Sequence, residues 1–420
     1  MKVFKFGGAS VNNVERIQNL AAILRNYTTE KLLIVVSAMG KTTNALEKVT
    51  AAFYEGKKEE ALQLFGQVKQ QHLTTSKYLL VTHYLTCEKK LEAIFTEVEW
   101  MLHDKPVRDY DYYYDQIVCT GELLSTTIIS AYLNENNIKN YWIDVRDIFR
   151  TDDNFREAAI DWDFTTQKVE TAIIPLYTDN AIVITQGFIG STDENESTTL
   201  GREGSDYSAA VFANMLNAES QTIWKDVEGV MNADPKQYPD AQLISALNYD
   251  EVIEMAYYGA QVIHPKTIKP LQNKGIPLYV KCFGYPLLPG TVIHNKPLKN
   301  LPPIIVVKKD QVLLYLHSKD FSFVGEKPMA ELYDMFASLR MKPNLMQTGA
   351  VSIQVCLDDH HDKIEKLALA ASASFEVSVE RGLTLITIRH YTLATIDQLI
   401  SNRKIVFKQQ SPETIQVLAY

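Results

Sequence analysis

The sequence has little cysteine for its length: Cys87, Cys119, Cys282 and Cys356 are four among 420 residues. None pairs with another at metal-ligand spacing, and four are too few to staple a chain of this size. A zinc ribbon and a disulfide scaffold are therefore excluded, and free thiols in a reducing compartment are expected. The chain also lacks an apolar run long enough to span a membrane. Met1 leads straight into a strand-like segment rather than a secretory leader, so a cytoplasmic location and no membrane partner are expected. Positive charge is not in excess: 42 lysines and arginines face 51 aspartates and glutamates, a formal net charge of -9. That balance argues against nucleic acid as the main partner, and any phosphate site must concentrate its cations locally. What remains is a globular composition, 46% hydrophobic and 22% charged. The length exceeds one ordinary core, so two or three domains are expected.

Strand-like and helix-like stretches alternate through the first two-thirds. Val3 to Phe6 reads as a short strand ending in Gly7-Gly8, and Val14 to Leu24 carries apolar residues at helical spacing. Leu32 to Val36 is a continuous apolar run, the mark of a strand covered on both faces. Residues 44–103 read as mostly helical, with Leu91, Ile94, Phe95, Val98 and Leu102 forming one stripe. Further strands are expected over Tyr141 to Val145, Ala181 to Thr185, Thr222 to Trp224 and Leu278 to Val280, separated by helices such as Ser205 to Leu216 and Tyr249 to Tyr258. This alternation predicts a mainly parallel sheet covered by helices. Prolines punctuate Pro286 to Pro303, which reads as a linker. Beyond it come a strand (Val312 to Leu316), a helix (Met329 to Leu339), two strands (Leu345 to Thr348, Val351 to Leu357) and a helix (Lys363 to Ala371). A shorter second pass follows, with strands over Thr384 to Ile388 and Thr414 to Leu418 around a helix over Ile396 to Ile400.

Several turns carry chemistry. A strand that ends in Gly7-Gly8 and leads to a helix can cradle an anion, because glycine lets backbone N–H groups approach it and the helix dipole favours it. Lys5 stands just before that turn, suited to a transferring phosphoryl group, although two glycines alone more often mean a tight turn with a surface lysine. The spacing fits neither a Walker A motif nor a dinucleotide fingerprint. A similar unit, Ser37 to Asn44, follows the second strand, where Thr42 or Thr43 also suits a helix cap. Glu122 in Gly121-Glu122-Leu123-Leu124-Ser125 can face a substrate ammonium or be a solvated first-turn acid. Gly187-Phe188-Ile189-Gly190 and Thr198 to Asp206 form a loop rich in glycine and hydroxyls that runs into a helix start. Its guanidinium, Arg202, suits bidentate carboxylate binding, and Asp206 can orient a lysine or a metal-bound phosphate. Lys225 and Lys236 sit in loops where they meet nucleotide phosphates or are simply solvated. His264 has no partner at ligand spacing and reads as structural.

Taken in order, KFGGAS, VVSAMGKTTNAL, GELLS, GFIG with TTLGREGSDYSAA, IWKDVEGVMNADPK and EMAYYGAQVIHPKTI resemble the motif series of the aspartokinases, members of the amino-acid kinase superfamily. The resemblance covers residues 1–295 closely, and the tail resembles paired ACT regulatory domains. It implies an α/β fold: a three-layer α/β/α kinase domain with a mainly parallel sheet over 1–295. Behind it would come α+β, βαββαβ ACT-like domains over 304–375 and 376–420, the second cut short. The implied activity is ATP-dependent phosphorylation of the side-chain carboxylate of L-aspartate to 4-phospho-L-aspartate, opening the route to lysine, threonine and methionine. Mg²⁺ would be bound through ATP and not by side chains.

Residue by residue, the resemblance makes Lys5 the charge that stabilises the phosphoryl group and Asp206 the carboxylate that orients it. Thr43, Glu122, Phe188, Arg202 and Ser205 would hold aspartate. Lys5, Gly7, Gly8, Ser10, Lys225, Asp226, Met231, Lys236 and Gln261 would hold ATP. Met346, Gln347 and Thr348 align with an effector-binding strand for lysine or threonine. A homodimer or larger assembly through the ACT-like domains is implied, as is a monofunctional enzyme, since no dehydrogenase domain follows.

The sequence departs from the family pattern in places. Glu203 replaces a usual glycine, Lys225 a threonine or serine, Met231 a tyrosine, Lys236 an arginine, and Gln261 a lysine of the nucleotide site. Two competing readings are a superfamily kinase acting on glutamate, carbamate or a nucleotide, and a catalytically silent amino-acid sensor. GELLS, GREGSD and the ACT-like tail argue against the first, and Lys5 with Asp206 against the second.

Overall fold

The computed structural model describes residues 1–179, 182–260, 263–298, 300–320 and 322–420, without the side chains of 178 and 179. The chain begins with β1 (Lys2–Phe6), α1 (Val14–Leu24), β2 (Leu32–Val36), α2 (Thr42–Tyr54), α3 (Lys58–Leu79), α4 (Tyr84–His103), α5 (Tyr110–Val118) and α6 (Thr120–Glu135). It continues with β3 (Asn140–Trp142), α7 (Trp162–Lys168), β4 (Ile182–Gln186), β5 (Ile189–Ser191), β6 (Ser197–Thr199), α8 (Gly204–Met215) and β7 (Ser220–Lys225). Next come β8 (Ala246–Asn248), α9 (Tyr249–Tyr257), α10 (Pro265–Lys274), β9 (Leu278–Cys282) and β10 (Thr291–His294).

Two compact units divide the chain. The first comprises Met1–Val230, Leu243–Ile253 and Ile263–Leu298. Its sheet runs β3-β4-β2-β1-β7-β9-β10-β8. Described neighbours are parallel except β9 and β10, which are antiparallel. Strand β2 lies between β1 and β4, so all five of its apolar side chains are buried. Full burial of such a side chain contributes about 1.5–3 kcal/mol. On one face Phe4, Phe6, Ile34 and Val36 join a core with Ile17, Leu46, Phe65, Phe95, Leu124 and Ile128 from the α1–α6 layer. Side chains alternate along a strand, so Lys5 points to the other face, where α8 packs on β1, β2 and β7. The result is the expected three-layer α/β/α arrangement. The chain leaves β1 for β2 on one side and returns on the other at β7. The border between β1 and β7 is therefore a topological switch, and ligands bind beyond the carboxyl ends of strands at such a point.

The second unit comprises Met231–Gln242, Glu254–Val262 and Lys299–Tyr420. It carries β11 (Ile304–Ser318), α11 (Glu326–Ser338), β12 (Leu345–Thr348), β13 (Ser352–Asp358), α12 (His361–Ala371), β14 (Phe375–Arg389), α13 (Leu393–Ile400), β15 (Ile405–Gln410) and β16 (Thr414–Ala419). These strands form one antiparallel sheet, β12-β13-β11-β14-β16-β15. β11 and β14 run through both halves of it, with an irregularity between Lys308 and Gln311. One half packs Leu314, Leu316, Ile353 and Val355 against α11 and α12, and the other packs Ile386, Ile388 and Val417 against α13. Residue 375, where the sequence reading divides two domains, is the first residue of β14. Asn232 ties its own segment to this unit, accepting from the Ile305 N–H at 2.7 Å and donating to the Pro303 carbonyl at 3.0 Å. Arg389 holds Glu254 at 3.2 Å.

One expectation is corrected. The stretch from Pro286 to Pro303 is not a simple linker, because Thr291–His294 is strand β10, paired with β9 and β8. Its four residues sit between prolines, too short a run for their alternation to register. Among the described residues no helix is long and apolar enough to cross a membrane.

Candidate active site

Lys5 is the penultimate residue of β1, and Asp206 lies in the first turn of α8. Their side chains form an ion pair, Nζ to Oδ1 at 2.6 Å, almost shielded from solvent at 12% and 5% exposure. Burial alone raises a carboxylate pKa, but the charges of Lys5 and Lys225 outweigh it and hold Asp206 below its ordinary value. Lys225 ends β7, whose register places Trp224 beside Phe6 of β1. A negative charge is thus kept ionised in the interior beside two cations at the topological switch.

The two glycine turns lie against each other. The Gly40 N–H donates to the Gly8 carbonyl at 2.9 Å, and the Ser37 N–H to the Phe6 carbonyl at 3.1 Å. A Cβ on Gly8 would stand 2.7 Å from the Ala38 carbonyl oxygen, so only glycine permits this approach. One on Gly7 would stand 3.3 Å from the Lys5 Nζ. Ser10 is buried, its hydroxyl 3.5 Å from the Trp224 carbonyl. Thr42 donates its hydroxyl to the Met39 carbonyl at 2.7 Å. Thr43, next in the same turn of α2, is only half-buried.

Glu122, in the first turn of α6, is 3% exposed. Its Oε1 accepts the Ala38 N–H at 3.1 Å, while Oε2 is buried without a hydrogen-bond partner. Burial pushes its carboxyl up to about 8, opposed by the Ala38 hydrogen bond and by the charge of Lys5. A buried carboxylate oxygen left without a donor is uncommon, and it marks Glu122 as a candidate binding group.

The loop before α8 is held tightly while Arg202 on it is exposed. Phe188 takes a left-handed φ of 72°, donates its N–H to the Ser208 hydroxyl at 2.9 Å, and accepts the Leu200 N–H at 2.8 Å. Gly187 abuts Ser205 so closely that a Cβ would fall 2.6 Å from the Ser205 Cβ. Ser205 itself is buried at 8% exposure. Asp226 forms an ion pair with Arg16, whose guanidinium lies over the Phe283 ring.

Met231 and Lys236 belong to the second unit, as do Met346, Gln347 and Thr348 on strand β12. Gln261 lies outside the described residues. His264 is structural as read: its ring accepts the Lys266 N–H at the start of α10. Glu203 does not project freely beside Arg202; its Oε2 accepts the His264 N–H at 3.0 Å.

Two abutting glycine turns, a buried lysine–aspartate pair, an open glutamate and an exposed guanidinium share the first unit. Comparison with known proteins gives the family. The amino acid kinase family model matches residues 1–282. Lysine-sensitive aspartokinase 3 of Escherichia coli (strain K12) is 30% identical over 428 residues, covering 100% of this chain and 92% of that protein. The chain belongs to the amino acid kinase family and, within it, to the aspartokinases. Two solved structures of E. coli aspartokinase III match at a TM-score of 0.80 and 28% identity. They cover 100% of this chain and 96% and 95% of theirs. One holds aspartate and ADP in the R-state, and the other holds lysine and aspartate in the T-state.

Sequence reasoning missed one feature of this aspartokinase chain. Asp115 in α5 is fully buried and accepts hydrogen bonds from Arg156 and Thr199. The available signal was an acid among Tyr113, Tyr114, Ile117 and Val118, all buried on the same helix.

Proposed function

We propose that this aspartokinase transfers the γ-phosphoryl group of ATP to the side-chain carboxylate of L-aspartate, with Lys5, Asp206, Glu122 and Arg202 as its working groups. The observation that carries the reading is the shielded Lys5–Asp206 pair at the switch between β1 and β7, with the open Oε2 of Glu122 in the field of Lys5.

Aspartate presents one ammonium and two carboxylates. Glu122 takes the ammonium, Arg202 with Ser205 takes the α-carboxylate, and Thr43 and Phe188 complete the pocket. The β-carboxylate attacks the γ-phosphorus in line. Its oxygen–phosphorus bond forms as the bond to the ADP oxygen breaks, giving an acyl phosphate and ADP. A carboxylate is already a nucleophile, so no general base is needed, and catalysis is positioning plus charge stabilisation. Lys5 stabilises the transferring group, and one preorganised group of this kind is worth about 10²–10³ in kcat. The turns at Gly7-Gly8 and Ser10 offer backbone N–H groups to phosphate oxygens. Lys225 and Asp226 extend the nucleotide set within the first unit.

Mg²⁺ would arrive with the nucleotide, held through its phosphate oxygens, while Asp206 stays engaged with Lys5. Held that way, Mg²⁺ would withdraw charge from the phosphates. The second unit is the regulatory element of this reading, with strand β12 facing a lysine or threonine effector and the ACT-like sheet joining two chains.

The test is ADP release by the purified chain with L-aspartate, with L-glutamate and with no acceptor. Release that depends on aspartate alone supports the reading; release with glutamate or without an acceptor overturns it.

A further inference from the structure

Helix α5 ends at Val118, and Cys119 caps it and also precedes the first turn of α6, so α5 runs almost directly into the helix that carries Glu122. Asp115 lies on this run, completely buried. It takes partners from two distant stretches of chain. Its Oδ2 accepts the Arg156 N–H at 2.9 Å and the Thr199 N–H at 2.8 Å, and its Oδ1 accepts the Thr199 hydroxyl at 2.6 Å. Those two stretches also bond to each other, the Ala158 N–H donating to the Thr199 carbonyl at 3.0 Å.

Both stretches bear on Arg202. Thr199 closes β6, three residues before it. Gly201, adjacent to Arg202, takes a left-handed φ of 74°, and a Cβ there would lie 3.2 Å from the Arg156 carbonyl oxygen. One carboxylate therefore fastens the turn that presents Arg202 to the helical run that presents Glu122. A buried carboxylate is costly unless its acceptors are filled. Here three donors fill it, and removing it would leave all three orphaned.

We infer that Asp115 is a positioning residue that sets the distance between the ammonium holder Glu122 and the carboxylate holder Arg202, and so fits the site to aspartate over acids one methylene longer. The inference rests on the roles of Glu122 and Arg202 proposed above.

The experiment compares Asp115→Ala, Asp115→Asn and Thr199→Val with the parent enzyme. The readouts are KM for aspartate, KM for ATP, and the ratio of kcat/KM for aspartate over glutamate. Asp115→Ala is expected to raise KM for aspartate about tenfold and KM for ATP less than about twofold. Thr199→Val and Asp115→Asn move the same way by less, and all three narrow the aspartate–glutamate ratio. If Asp115 acts through the Arg202 turn, adding Asp115→Asn to Arg202→Ala changes KM for aspartate by less than about twofold. Equal rises in both KM values, or independent multiplication in the double variant, overturn the inference. Should Asp115→Ala not fold, Thr199→Val and Asp115→Asn decide it. Glu122→Gln and Arg202→Ala separate the two levels. If neither raises KM for aspartate, the site reading itself fails; if both do while the Asp115 and Thr199 variants do not, only the positioning role fails.

Discussion

Glu203 accepts the backbone N–H of His264 at 3.0 Å, which pins the turn beside Arg202 to the first turn of α10. Lys266 of the same helical turn reaches back to the Leu200 carbonyl at 3.0 Å. The loop that presents the guanidinium is thus clasped on one flank by α10 and on the other by Asp115. A carboxylate where the family usually has glycine serves here as a backbone acceptor. Its residue sits at a φ of 53°, a conformation glycine adopts without strain.

That conflict gives a stability prediction. Glu203→Gly loses the hydrogen bond but relieves the left-handed strain, so its stability stays within about 1 kcal/mol of the parent. Glu203→Ala loses the same bond and keeps a Cβ, so it falls below Glu203→Gly by about 1 kcal/mol. Denaturant midpoints at constant slope check the order. Equal midpoints for the two variants would mean that strain at this position costs nothing.

Glu122 predicts a pH dependence. Its carboxyl titrates near 8 in the folded enzyme, against an ordinary 4.5, chiefly through burial. Only the ionised form can pair with the substrate ammonium, so KM for aspartate should fall as pH rises towards 8, and Glu122→Gln should remove that dependence while raising KM. The sign for stability is opposite. A raised pKa means that the folded state binds the proton more tightly, so this contribution is complete at low pH and is lost as pH rises through about 8. Without ligands, Tm should decline across that window, and less steeply in Glu122→Gln. A parallel decline in both would assign the effect to other groups.

Lys5 and Asp206 should separate chemistry from folding. Lys5→Met is expected to lower kcat by about 10²–10³ with far less change in KM for aspartate. Asp206→Asn leaves Lys5 and Lys225 without their shared anion and should lower kcat by a similar order. Steady-state kinetics with circular dichroism as the folding control check both. A fully active Asp206→Asn would remove the pair from the mechanism.

Lys225 stands where the family usually has threonine or serine, and its charge reaches Asp206. Lys225→Thr should raise KM for ATP severalfold and leave KM for aspartate nearly unchanged. An unaltered KM for ATP would exclude Lys225 from the nucleotide site.

The elements most legible in the sequence are those whose environment is uniform. Val14–Leu24 and Leu32–Val36 form as read, one buried along a stripe and the other on both faces. Strands β11 and β14 were legible only in part. Lys308-Lys309-Asp310 interrupts the apolar pattern of one, and Glu380-Arg381-Gly382 that of the other, where the two halves of the sheet meet. At the site, motif order pointed to Lys5, Glu122, Arg202 and Asp206 because each stands beside a turn with distinctive chemistry. Asp115 stands in no turn, and its partner Thr199 is 84 residues away, so only the folded chain brings them together.

The most direct test of the central claim is to supply ATP, L-aspartate and hydroxylamine and to identify the hydroxamate formed by mass spectrometry. The account predicts the hydroxamate of the side-chain carboxylate, in step with ADP release and nearly abolished in Lys5→Met. A hydroxamate at the α-carboxylate, or none while ADP is released, would contradict it.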